Sequence, residues 1–80
     1  MVLQVDGMTI KRLRNQLELS QSDLAHVIGV SSDRTVRRWE DGERDAPGPA
    51  IILMTLMVKY PQIRDVVFKM RGFGDIDTSN

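Results

Sequence analysis

The stretch Ser20–Gly42, SQSDLAHVIGVSSDRTVRRWEDG, governs how the rest of the chain is read. It holds two short helical patterns separated by a glycine. Ser20 is an N-cap residue with Asp23 three positions on, the spacing of a capping box with Asp in place of the usual Glu. A helix is predicted over Gln21–Ile28, with Leu24, Ala25 and Ile28 as its buried face. Gly29 ends it, since glycine takes positive φ without penalty. Val30 is expected to drop into the core, and Ser31 or Ser32 to cap a following helix that runs to about Asp41 and closes at Gly42. The only large apolar residues of that second helix are Val36 and Trp39, three apart. So narrow a stripe anchors one face and leaves the rest displayed.

What is displayed is basic. Arg34 and Arg38 are four apart and point the same way. Arg37 stands about 100° round from Arg38. An arginine can donate two parallel hydrogen bonds to O6 and N7 of guanine, or it can hold a phosphate. The alternative is a solvated charged face with pairs such as Asp33–Arg37 or Arg37–Asp41. Asp33 is awkward beside phosphates. It can accept from the amino group of cytosine, orient Arg34 or Arg37, or cap the helix.

Outward from this stretch, Met1–Met8 alternates weakly and reads as a short extended arm, with Asp6-Gly7 as a turn signal. A first helix is predicted over Ile10–Glu18, with Thr9 as N-cap, Met8 and Leu13 as a staple around it, and Ile10, Leu13 and Leu17 on one face. On the other side, Glu43–Pro49 is a loop shaped by proline and glycine. Pro47 or Pro49 opens a fourth helix that continues to about Lys59. That helix is apolar nearly all round and must be buried on more than one side. Pro61 starts a fifth helix, to about Met70, with Ile63, Val66, Val67 and Met70 on one stripe. That stripe either covers the fourth helix or forms the seam of a dimer. Residues 1–72 read as one domain, and 73–80 as a flexible polar tail.

Composition bounds the function. The chain has 80 residues, no cysteine and zero net charge, with 11 basic and 11 acidic side chains. A chain this short buries roughly 60% of its surface, which makes dimerisation a natural source of further stability. Without cysteine, disulfides and thiolate metal sites are excluded and a cytoplasmic location is expected. The N-terminus lacks the layout of a signal peptide, and the run Ala50–Val58 is far short of the ~20 residues needed to span a bilayer. The single histidine, His26, is placed among apolar neighbours on its helix and has no partner for a metal site. Ser20, Asp23 and His26 fall at i, i+3 and i+6, but Ser20 is committed to capping. No enzymatic activity, metal or cofactor is expected.

Gln21, Ala25, Gly29, Val30, Ser31, Val36, Trp39, Glu40 and Gly42 spell Q-x-x-x-A-x-x-x-G-V-S followed by V-x-x-W-E-x-G. This pattern resembles the lambda-repressor-like, Cro-type helix-turn-helix family of prokaryotic and phage regulators. The resemblance extends over roughly Thr9–Met57. It implies an all-α fold, a compact five-helix bundle containing a helix-turn-helix, that binds double-stranded operator DNA as a homodimer. Carried over by position, Gln21 would bond a phosphate. Ser32, Asp33, Arg34 and Arg38 would face base edges, and Arg44 would meet the backbone. Arg14 would form an ion pair with Glu40. The step from Gly29 to Val36 is one residue longer than is usual in the family. The extra residue lies within Ser31–Thr35, where it lengthens the turn or shifts the start of the third helix.

The expected function is a sequence-specific transcriptional regulator, a homodimeric repressor of autoregulatory or phage type. It would occlude a promoter by placing two copies of the third helix in major grooves ~34 Å apart on an inverted repeat. An antitoxin that binds a protein toxin and represses the shared promoter is the alternative. RNA binding through the same arginine face is a third reading.

Overall fold

Five helices follow one another in the computed structural model, which describes residues 7–72: α1 (Gly7–Gln16), α2 (Gln21–Ile28), α3 (Asp33–Asp41), α4 (Gly48–Lys59) and α5 (Pro61–Met70). There is no strand among the described residues. α3 packs against α1 and α2, and α4 packs against α1 and α5.

Both ends of α2 and the end of α3 fall where the sequence satisfies unpaired backbone groups. Ser20 sits extended ahead of α2, and its hydroxyl accepts the Asp23 N–H at 3.0 Å. Gly29, at φ +82°, turns its own N–H onto the Ala25 and His26 carbonyls, and the Val30 N–H returns to Ala25 at 3.0 Å. Gly42 repeats the device after α3, again at φ +82°. Pro47 caps α4 and Pro49 stands in its first turn, while Pro61 opens α5.

The start of α1 differs from the sequence expectation. The helix begins at Gly7, so Thr9 lies within it and not at its cap, and Gly7 and Met8 are helical and not part of an extended arm. The rest of that arm, the Met8 side chain of the predicted staple and the tail 73–80 lie outside the described residues. The end of α1 is also earlier. It stops at Gln16, and Glu18 takes φ +59°, the only left-handed residue besides glycine in the described chain. This turn directs both neighbours, Leu17 and Leu19, into the core.

That core is built from Ile10, Leu17 and Leu19, then Leu24, Ala25 and Val27 of α2, Val36 and Trp39 of α3, and Ile51, Met54 and Met57 of α4. Burying each of the larger aliphatic side chains contributes about 1.5–3 kcal/mol. Val27 takes the inner place expected for Ile28, which is the last residue of α2 and only half-buried, as is Val30. On α4 the inner face is Ile51, Met54 and Met57, whereas Ile52 is 54% exposed, so the helix is not covered all round.

α5 has no fully buried residue. Ile63, Val67 and Phe68 lean on the core, while Val66 and Met70 are 58% and 75% exposed. The predicted stripe is therefore split. It spans about 100° of helix surface, and α4 covers only the Ile63–Val67 side of it.

Candidate nucleic-acid interface

α3 is held from beneath by Val36 and Trp39, both buried, and by a third contact that is polar. The Glu40 carboxylate receives Arg14 Nε at 2.6 Å on one oxygen, and Arg14 Nη2 at 3.1 Å and Gln21 Nε2 at 3.0 Å on the other. Arg14 Nη1 also donates to the Leu19 carbonyl at 2.9 Å. One carboxylate thus joins α1, α2 and α3. Burial works to raise the Glu40 pKa, but the hydrogen bonds from Arg14 and Gln21, with the charges of Arg14 and Lys11, hold it below the ordinary carboxylate value. The charge is therefore kept and fully engaged inside the scaffold. Gln21, assigned a phosphate on the family resemblance, gives one N–H of its amide to this carboxylate.

The opposite side of α3 carries Arg34, Arg37 and Arg38, all exposed. Ser32 stands at the N-cap in an extended conformation, and its carbonyl accepts the Thr35 N–H at 3.1 Å. Its side chain makes no capping bond, contrary to the expectation that a serine hydroxyl would cap this helix. Gly29–Ser32 form the turn and α3 begins at Asp33. Asp33 lies in the first turn, where a carboxylate interacts favourably with the helix dipole, and approaches Arg37 Nη2 at 3.4 Å. Arg38 Nε is 3.8 Å from Glu43 Oε1.

Arg44 is exposed beyond α3 and shares a cleft of about 530 Å³ with Ser31, Thr35, Arg38 and Trp39. A smaller cleft at the start of α2 is lined by Lys11, Ser20 and Gln21, with Arg14, Glu40 and Asp41. Lys11 and Glu43 were not singled out by sequence reasoning. Lys11 reaches this face only through the packing of α1 on α3, and Glu43 is five residues from Arg38, beyond the reach of i, i+4 rules. His26 is exposed and not set among apolar neighbours, because α2 turns it outward to the Arg71 backbone at the end of α5. Among the described residues no group of acidic and histidine side chains could hold a metal ion. No described helix is long and apolar enough to cross a membrane.

An anchored helix that presents exposed arginines, preceded by a capped helix and a glycine turn, defines the helix-turn-helix class. The profile of the helix-turn-helix family matches residues 10–54, more than half of the chain, and the chain belongs to that family, in its XRE, lambda-repressor-like form. The type II methyltransferase M1.ScrFI of Lactococcus lactis subsp. cremoris is 38% identical over 56 residues, which is 68% of this chain and 14% of that protein. The type II methyltransferase M.SsoII of Shigella sonnei is 45% identical over 42 residues, 50% of this chain and 11% of that protein. The chain thus spans only a small part of either relative.

Proposed function

We propose that this protein is a sequence-specific transcriptional repressor that acts as a homodimer on an inverted repeat and works by occluding a promoter. The observation that carries the reading is the division of α3 into a buried side, Val36 and Trp39, and an exposed side bearing Arg34, Arg37 and Arg38. Arg34 and Arg38 face base edges, with Ser32 and Asp33 beside them. Arg44, which is exposed, and the start of α2 at Gln21, which is half-buried, meet the backbone through the clefts they line. The dimer seam centres on the uncovered side of α5, Val66 and Met70. Ile52 and Tyr60 are further apolar residues exposed on α4 and at its end. Ile63 and Val67 support the seam from behind. The site of action is the cytoplasmic nucleoid.

A mobility shift on the DNA upstream of the protein's own gene tests the reading. Arg34→Ala and Arg38→Ala should each lose operator binding by about 5-fold or more, the equivalent of ~1–3 kcal/mol per good base contact, while keeping the fold. Normal binding by both variants would remove α3 as the reader.

A second reading rests on the same exposed apolar side of α5. As an antitoxin, the chain would cover Val66 and Met70 with a protein toxin and not with its own copy. Co-purification with the product of the adjacent gene as a stable heteromer would favour it. The two methyltransferase relatives favour a third arrangement, in which this module is the DNA-contacting segment of a larger methyltransferase. A native gene product of methyltransferase size would support that arrangement.

A further inference from the structure

Two of the three α3 arginines are engaged by carboxylates in the unbound chain, Arg37 by Asp33 and Arg38 by Glu43. Arg34 has no carboxylate partner among the described residues. The two pairs arise differently. Asp33–Arg37 is the ordinary i, i+4 pairing of a helix surface. Glu43 lies beyond the end of α3, and the reversal at Gly42 carries it back. With Gly42 at φ +82°, the Glu43 N–H bonds the Arg38 carbonyl at 3.0 Å and the Arg44 N–H bonds the same carbonyl at 3.3 Å. The backbone itself seats residue 43 against residue 38.

We infer that Glu43 is a specificity-determining counter-charge for Arg38, an inference that rests on the DNA-binding reading of α3. A phosphate competing for the Arg38 guanidinium is itself an anion. It must displace the Glu43 carboxylate and then remain beside it. The O6 and N7 of guanine are acceptors without a net charge and meet much less of this repulsion. Glu43 therefore penalises phosphate contacts more than base contacts at this one arginine, and selectivity is gained by a repulsive element as well as an attractive one. The pair is exposed, at 48% and 65% of the side-chain surface, so its effect is a few-fold and not orders of magnitude.

The test compares wild type, Glu43→Gln, Arg38→Ala and the double variant on an operator duplex and on a random-sequence duplex of equal length. Superimposable melting curves establish that the exposed substitutions leave the fold intact. Glu43→Gln should tighten binding to the random duplex about three- to fivefold and to the operator less than about twofold, lowering the specificity ratio. In the Arg38→Ala background the same substitution should have little effect on either duplex. Equal tightening on both duplexes, or an undiminished effect without Arg38, would mean that Glu43 acts only through net charge and overturns the inference. No change on either duplex overturns it as well. A wild type that binds neither duplex removes the DNA-binding reading itself, and the inference with it.

Discussion

His26 and Arg71 each bond the backbone of the other. His26 Nε2 donates to the Arg71 carbonyl at 2.7 Å, which requires the tautomer protonated at that nitrogen, and Arg71 Nε donates to the His26 carbonyl at 3.1 Å. The His26 carbonyl belongs to the last turn of α2, where it also accepts the Gly29 N–H at 3.3 Å and where a cation is favoured by the helix dipole. The end of α5 is thereby fastened to the end of α2. Arg71→Ala should lower stability by about 1 kcal/mol in urea unfolding, His26→Ala by a similar amount, and the pair by less than the sum. Full additivity would show that the two contacts do not act together.

Removing Arg14 leaves Glu40 charged, almost buried and short of two donors. The Glu40 and Arg14 side chains are 6% and 12% exposed. Arg14→Ala should cost about 2–3 kcal/mol, because a stranded buried charge is worse than a lost pair. A loss below 1 kcal/mol in chemical denaturation would mean that water takes over the role of the guanidinium.

The pH dependence of stability follows from the same carboxylate. Glu40 titrates in the folded protein below the ordinary glutamate value of 4.5. A depressed folded pKa contributes stability that is complete above the unfolded value and is lost as pH falls through the folded one. The difference in Tm between wild type and Glu40→Gln should therefore be constant at neutral pH and shrink below 4.5. A difference that stays constant into acid would contradict the assignment.

Glu18 holds φ +59° without being glycine. An L-residue there is strained by ~1–2 kcal/mol, part of which glycine returns through its greater freedom in the unfolded chain. Glu18→Gly should raise stability by roughly 0.5 kcal/mol. Gly29→Ala and Gly42→Ala should each lower it by about 1 kcal/mol. An added Cβ meets nothing within 4 Å at either position, so the loss is purely conformational. Thermal melts of the three variants check the opposite signs.

If Val66 and Met70 form a dimer seam, Val66→Lys with Met70→Lys should shift the protein to a monomer in sedimentation at micromolar concentration and leave its helical circular dichroism unchanged. Both side chains are mostly exposed in the single chain, so the fold does not need them. A wild type that sediments as a monomer removes the seam.

The residues that stop helices made most of the fold legible. α2 and α5 run over the residues their signals mark, because Ser20, Gly29 and Pro61 act locally. α1 departs from its sequence signals at both ends for the opposite reason. Thr9 has the chemistry of a cap but lies inside the helix, and nothing in Leu17-Glu18-Leu19 announces a left-handed glutamate. That conformation is set by the burial of the two leucines, which is tertiary. The exposed arginines of α3 could be anticipated from the spacing of Val36 and Trp39. The Gln21 bond to Glu40 and the Glu43 approach to Arg38 could not, since both depend on how separate segments meet.

The Glu40 junction has an evolutionary consequence. The α3 side chains that tie it to the neighbouring helices are on its inner side, in Val36, Trp39 and Glu40. The outer positions Arg34, Arg37 and Arg38 can therefore be rewritten without refolding the protein. On the proposed DNA-binding reading, such a module can acquire a new address on the genome by point substitution, one exposed side chain at a time.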